Sequence, residues 1–328
     1  MPAGRVGAVF FMTNAVDGKN EIVMLRRAAD GCLSLVGSFA TGGSGAGVGP
    51  EAPFADPLGS QDSLVMNKEQ TLLFAVNAGS DEISVFQVQP DGLSLHGKVH
   101  SGGNFPVSLA LHSDLLYVLN AGGDATIMGF SVLPDGGLVP LEGSRRSLGV
   151  GGSEPPDVFQ APGQIAFTPD GRQLIVVEKG IRTEDHATHK IHVLTIDDMG
   201  MPNYKPVTTV ANGHLPFAAS LTPQGHLLVV EVFGRGPILT GTGGVSSYTV
   251  RPDGSLRLIS ASVDTYQRES CWIKVSGNYA YVTNFGSHSI TGYQLGDDGS
   301  LRLLNGDGVT AMTGDGSHPV DFAVTPDG

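Results

Sequence analysis

The chain has 328 residues, 40% of them apolar and 16% charged, with a formal net charge of −13. Such a composition supports a large buried core and argues against a disordered chain. The acidic balance argues against a nucleic-acid or anionic-membrane surface, which needs clustered Lys and Arg. The only two cysteines, Cys32 and Cys271, provide neither a disulfide framework nor Cys-based metal spacing.

In chain order, the first apolar stretch, Ala8–Met12, is too short for a secretory segment, and no later run approaches a membrane span. The expectation is a soluble, cytoplasmic protein. The 47 glycines and 20 prolines fall at regular punctuation points, which predicts many short strands joined by turns. Leu72–Leu95 reads as an apolar strand ending at Asn77, a polar loop, an alternating strand, a Pro-Asp-Gly turn and another strand. Leu115–Val139 and Tyr279–Leu303 repeat the pattern. Asp-Gly suits such hairpins because Gly tolerates positive φ.

The second strand of each repeat ends at Asn14, Asn77, Asn120, Glu178, Glu231 and Asn284, spaced by 63, 43, 58, 53 and 53 residues. A period near ~40–50 residues with four strands per copy predicts an all-β propeller of four-stranded antiparallel blades, forming one domain over 1–328. The longer intervals carry insertions: Gly-rich Thr41–Gly59, Arg145–Phe159, and the charged segment RTEDHATHK at Arg182–Lys190. The chain opens on a second strand, Ala8–Asn14, and closes on a first strand and turn, Pro319–Gly328. That favours a seven-bladed parent truncated in its last blade; the alternative is six blades closed by pairing of the two terminal segments.

LFAVNAGSDEISVF (residues 73–86), LYVLNAGGDATIMGF (116–130) and AYVTNFGSHSITGY (280–293) resemble the YVTN-type repeats of the lactonase-family β-propellers. That group contains 6-phosphogluconolactonase and carboxymuconate cyclase. The resemblance implies seven blades and a site with His, Arg and Glu contributors around a central channel. It also implies a lactone hydrolase-like activity on a small polar or anionic lactone. The Arg-His pair usual in phosphogluconolactonase-like members is missing, which weakens the expectation of a phosphosugar.

Strand parity locates the functional face. If the Pro-Asp-Gly turns lie at the bottom, second-strand ends and first-strand starts both lie at the top, near the channel mouth. Glu178 and Glu231 occupy the slot that holds Asn elsewhere, so they become candidate general bases. Elsewhere that Asn is expected to bond the loop backbone. The first-strand approaches offer Gln61, Asn104, Gln164, His214, Glu269, His318 and Asp321. His214 is the candidate acid–base partner, because imidazole exchanges protons near neutral pH. Lys179 and Arg268 are candidate anion contacts. Gln164, Asn104, Glu269, His318 and Trp272 complete the expected substrate-binding set, although Trp272 and Phe217 also suit packing between blades. The histidines of HATHKIH, His186–His192, lie in a charged insertion leading into an alternating strand, where His192 would point away from its neighbours; neither a metal nor another cofactor is expected. GTGG at Gly241–Gly244 lacks the following helix of a phosphate loop. The expected partner is a small-molecule substrate bound by a monomer. A non-catalytic binding module and a cycloisomerase using the same pocket are the alternative functions.

Overall fold

In the computed structural model, residues 5–47, 56–150 and 152–325 are described, and they form two compact units. Unit 1 comprises Met1–Leu58 and Asp62–Pro155; unit 2 comprises Gly59–Gln61 and Pro156–Gly328. Unit 1 opens with a three-stranded sheet of β1 (Arg5–Met12), β2 (Glu21–Ala28) and β3 (Leu33–Ala40). Its second sheet runs β4 (Leu64–Met66), β5 (Leu72–Asn77), β6 (Glu82–Gln89) and β7 (Gly92–His100). The third is β8 (Pro106–His112), β9 (Leu115–Asn120), β10 (Thr126–Val132) and β11 (Leu138–Pro140), with the short β12 (Arg146–Ser147) also paired to β10.

Unit 2 repeats the plan. The fourth sheet is β13 (Pro162–Phe167), β14 (Gln173–Glu178), β15 (Lys190–Thr195) and β16 (Val207–Val210). The fifth is β17 (His214–Leu221), β18 (His226–Gly234), β19 (Gly244–Val250) and β20 (Leu256–Asp264). The sixth is β21 (Ser270–Ser276), β22 (Tyr279–Asn284), β23 (Ser289–Leu295) and β24 (Leu301–Leu303), with β25 (Ala311–Met312) on β23. Each of the six sheets is a chain-order antiparallel meander, the strand plan of a propeller blade. Among the described residues the first sheet has three strands. The strand anticipated at Pro319–Gly328 does not form over residues 319–325, and 326–328 lie outside the described residues.

The second strands β5, β9, β14 and β18 are buried along nearly all their length, whereas β1 is exposed or half-buried over residues 7–12 and the outer strand β7 is exposed or half-buried beyond Leu93. This is why second strands read as continuous apolar runs: both of their faces are covered. Within unit 1, Ile22 of the first sheet packs with Leu73 and Phe86 of the second. Within unit 2, Val177 and Ile191 pack with Ala219 and Val229, and Phe217 and Val230 pack with Trp272 and Val282. Full burial of each such side chain contributes roughly 1.5–3 kcal/mol, so sheets that pack in this way stabilise one another. No helix among the described residues is long and apolar enough to cross a membrane.

The starts of the first strands share a local irregularity. Register shifts fall at Pro106/Ser108, Pro162/Gln164, His214/Pro216 and Ser270/Trp272. Phe105, Leu215 and Glu269 adopt left-handed backbones at three of these places, and Asp62 does so just before β4, with φ between 51 and 63°. Non-glycine residues there cost on the order of 1–2 kcal/mol, a strain that bulges beside functional sites commonly carry.

Candidate functional site

The fourth and fifth sheets bring Glu178, His214 and Glu231 to one end of unit 2. Glu178 ends β14 opposite Lys190, the first residue of β15. His189, just before β15, accepts from the Ala211 backbone N–H through its carbonyl at 2.8 Å. Two residues further on, the Gly213 N–H donates to Glu231 Oε1 at 2.9 Å, and His214 opens β17 opposite Gly234.

The two carboxylates differ sharply in environment. Glu178 Oε2 lies 2.7 Å from His192 Nε2, with Lys190 Nζ 3.7 Å from its other oxygen. Glu231 is fully buried; Ser246 Oγ donates to Oε1 at 2.6 Å, while Oε2 has no hydrogen-bond partner. Desolvation pushes its pKa above the ordinary carboxylate value, against the opposing pull of Ser246 and the Gly213 N–H. Oε1 is engaged by two donors and the whole side chain is closed off from solvent, so Glu231 does not suit the general-base role assigned from sequence. Gly213 makes the seat: a Cβ there would stand 2.3 Å from Glu231 Oε2. Gly43 against Asn77 and Gly103 against Asn120 repeat that close approach, at 2.5 and 2.8 Å from the amide carbon.

The charged insertion folds over this end. Gly180 turns it back with φ of 70–75° (72°), where a Cβ would meet the Thr188 carbonyl at 2.1 Å. Asp185 caps the following 3-10 turn, His186–Thr188, by accepting from the Ala187 N–H. His186, His189 and His214 therefore converge: ring centroids of His186 and His214 are 3.7 Å apart, and His189 lies 5.3 Å from His214. Burial lowers the pKa of His214 and His189, and the neighbouring imidazoles lower both further. Glu184 Oε2 lies 3.5 Å from His214 Nε2, and its Oε1 accepts from the Ile238 N–H at 3.1 Å. That second contact ties the insertion to the loop after β18. Beside it a cavity of about 460 Å³ is lined by Gly234, Arg235, Thr240, Thr242, Ser262 and Asp264, among others.

The remaining sequence candidates have other placements. Lys179 is buried, donates from Nζ to the Gly59 carbonyl at 2.7 Å and sits 4.9 Å from the Phe217 ring centroid. It ties the interior together, a correction to its expected role as an anion contact. Gln164 accepts from the Ala219 N–H, and Gln61 bridges the Ala219 carbonyl and the Ile273 N–H. Trp272 is buried against Phe217 at 4.9 Å and donates to the Ser60 carbonyl at 2.7 Å, so packing, not substrate, occupies it. Arg268 is exposed, and Glu269 is half-buried in a left-handed conformation. His318 is exposed and stacks on Phe285 at 4.5 Å; Asp321 lies 3.8 Å from Lys274 Nζ. Asn104 belongs to unit 1, where it donates to Glu154. Two of the repeat Asn side chains bond to other buried side chains, Asn77 to Asn20, Thr41 and Ser84, and Asn284 to Ser270, Ser289 and Thr291, whereas Asn120 donates to the Ser101 carbonyl of the loop backbone as expected. Sequence reasoning missed Glu184 and Arg235, whose only signal was a charged residue in a loop next to a strand end.

The family pattern described as Lactonase, 7-bladed beta-propeller matches residues 55–212 and 183–328. No curated protein matches the sequence. Among solved structures, a proposed 6-phosphogluconolactonase from Bacteroides uniformis aligns with a TM-score of 0.63 at 16% identity, over 90% of this chain and 80% of that one. A protein from Lactobacillus plantarum aligns at 0.65 and 16%, over 91% and 81%. One of unknown function from Desulfotomaculum acetoxidans aligns at 0.60 and 12%, over 87% and 75%. At these identities the likeness speaks for fold, and it agrees with the blade-like sheets. The chain belongs to the lactonase family of β-propellers.

Proposed function

We propose that the chain is a lactone hydrolase acting on a small polar or anionic lactone at the end of unit 2 where β14, β17 and β18 meet. The observation that carries this reading is His214, a buried imidazole whose pKa burial lowers, paired along the backbone with Gly234, which lines a cavity, in a lactonase-family chain. A neutral imidazole takes a proton from water as the oxygen adds to the lactone carbonyl. The tetrahedral intermediate then collapses with release of the ring oxygen, which receives that proton from the imidazolium; the product is the hydroxy acid. Glu184, at 3.5 Å, stabilises the imidazolium. Arg235, on the cavity wall, attracts an anionic substituent. Glu231 acts as a positioning residue, holding the Gly213–His214 backbone through its accepted hydrogen bond. Glu178 is occupied by His192 and Lys190.

Ring opening across a panel of neutral and anionic lactones, followed by pH-stat, tests this. His214→Gln should lower kcat by about 10²–10⁴-fold, the usual worth of a general base. Arg235→Ala should raise KM for anionic lactones while leaving neutral ones nearly unchanged. The acid limb of kcat/KM should fall below 6.5, because His214 sheds its proton more readily than a free imidazole. Folded wild type that opens no lactone in the panel, or a His214→Gln variant equal to it, overturns the proposal and makes a binding module the better account.

A further inference from the structure

The three imidazoles at the fold-over of the insertion have a property that general-base chemistry does not require. His186, His189 and His214 each offer a ligand atom, and these atoms all lie within 4.8 Å of one another. His189 and His214 are buried, and each keeps its Nδ1 buried without any hydrogen-bond partner. An orphaned polar atom in the interior costs on the order of 1–3 kcal/mol. Two of them side by side, with a third nitrogen close by, is an arrangement that a shared partner would relieve. His189 Nε2 is engaged by the Ile181 carbonyl at 3.0 Å, a bond that requires N–H at that position and leaves the lone pair on Nδ1. Three nearby cationic imidazoliums would repel one another, so the cluster favours neutral rings, the form that ligates metals.

We propose that His186, His189 and His214 form a binding site for a divalent transition-metal ion of the zinc type, with a fourth position left to water or to Glu184. The donor set fits that class: three imidazole nitrogens suit zinc and its neighbours and do not suit calcium or magnesium, which take oxygen ligands. Zinc–nitrogen bonds of about 2.0–2.1 Å require the nitrogens to draw together by roughly an ångström. The insertion can supply that movement, because His186 and His189 stand on a short 3-10 turn and its end, while His214 is anchored in β17. The expected absence of a metal rested on His192, the third histidine of HATHKIH. His192 does point elsewhere, to Glu178, and the third ligand comes instead from the next sheet. An HxxH pair became a trio only through the tertiary fold. The site stands independently of the lactonase reading. Occupancy would, however, engage His214, so chelated and loaded protein should differ in pH–rate profile if both readings hold.

Equilibrium dialysis of the chelator-stripped full chain against Zn²⁺, with competition by a chromophoric chelator, tests the site without reference to turnover. The expected result is about one ion per chain, a raised Tm with Zn²⁺, and visible absorption of tetrahedral intensity when Co²⁺ replaces it. His189→Ala and His214→Ala should each weaken binding at least 100-fold. His186→Ala, at the more exposed corner, should weaken it at least 10-fold in a chain whose circular dichroism is unchanged, which guards against misfolding of the buried variants. His226→Ala, outside the cluster, should change nothing. Folded wild type that retains no ion, or binding undiminished in His186→Ala and His214→Ala, overturns the proposal.

Discussion

One slot of the repeat, the end of the second strand, is filled in two ways. In the second and sixth sheets Asn77 and Asn284 sit fully buried, with both ends of the amide bonded to neutral Ser, Thr or Asn side chains. In the fourth and fifth sheets the same slot holds Glu178 and Glu231. The backbone setting hardly changes, yet the chemistry does. An amide supplies donors and acceptor together and closes a neutral network. A carboxylate has only acceptors, so it must find a cation, as Glu178 does in Lys190, or be pushed toward protonation, as Glu231 is. The repeat thus provides a mould, and the two sheets that break it carry the ionisable groups.

Emptying the Asn slot should produce the largest effect. Asn284→Ala removes three buried side-chain hydrogen bonds, one from Ser270 and one each to Ser289 and Thr291, and should cost about 3 kcal/mol in urea unfolding. A loss below about 1 kcal/mol would mean that the network is not a mould at all. Next comes the glycine beneath the slot. Gly213→Ala should destabilise by about 1–3 kcal/mol through overpacking on Glu231, and much of that loss should be recovered in a Gly213→Ala/Glu231→Ala double variant. Additive losses would refute the steric cause.

Glu231→Gln sharpens the electrostatic half of the comparison. Its folded pKa lies above the ordinary 4.5, so the folded chain binds this proton more tightly than the unfolded one does. The stability so contributed is complete below about pH 4.5 and drains away as pH rises toward the folded pKa. Wild type should therefore lose stability relative to Glu231→Gln on going from pH 5 to pH 8, as read from paired thermal melts at about unit pH steps. A parallel or opposite trend would mean that Glu231 is ionised in the folded state. The smallest effect belongs to a charge outside the mould: Asp91→Asn, which removes an exposed partner of Arg26, should change stability by less than about 0.5 kcal/mol.

Much of this was legible in the residues. Four of the six strand ends, at Asn77, Asn120, Glu178 and Asn284, and the Asp-Gly turns follow from apolar runs and turn chemistry, because both are local properties of consecutive residues; β1 stops at Met12, short of Asn14, and β18 runs past Glu231 to Gly234. The parity argument also placed Glu178, Glu231 and His214 at one end of their sheets. It failed for Lys179, Gln164 and Trp272, whose polar atoms meet backbone groups on neighbouring segments, and no spacing in the chain reports such contacts.

By itself, then, the sequence determined the repeat, the strand order within each sheet and the two acidic departures from the Asn slot. Periodicity is enough to decide which face of a strand is buried. The tertiary structure alone decided that Glu231 is sealed among neutral donors while Glu178 is charge-paired to Lys190, and that His214 meets His186 and His189 in place of His192. Those outcomes depend on distances between residues remote in sequence, and on the water excluded around them, which set both pKa and partner.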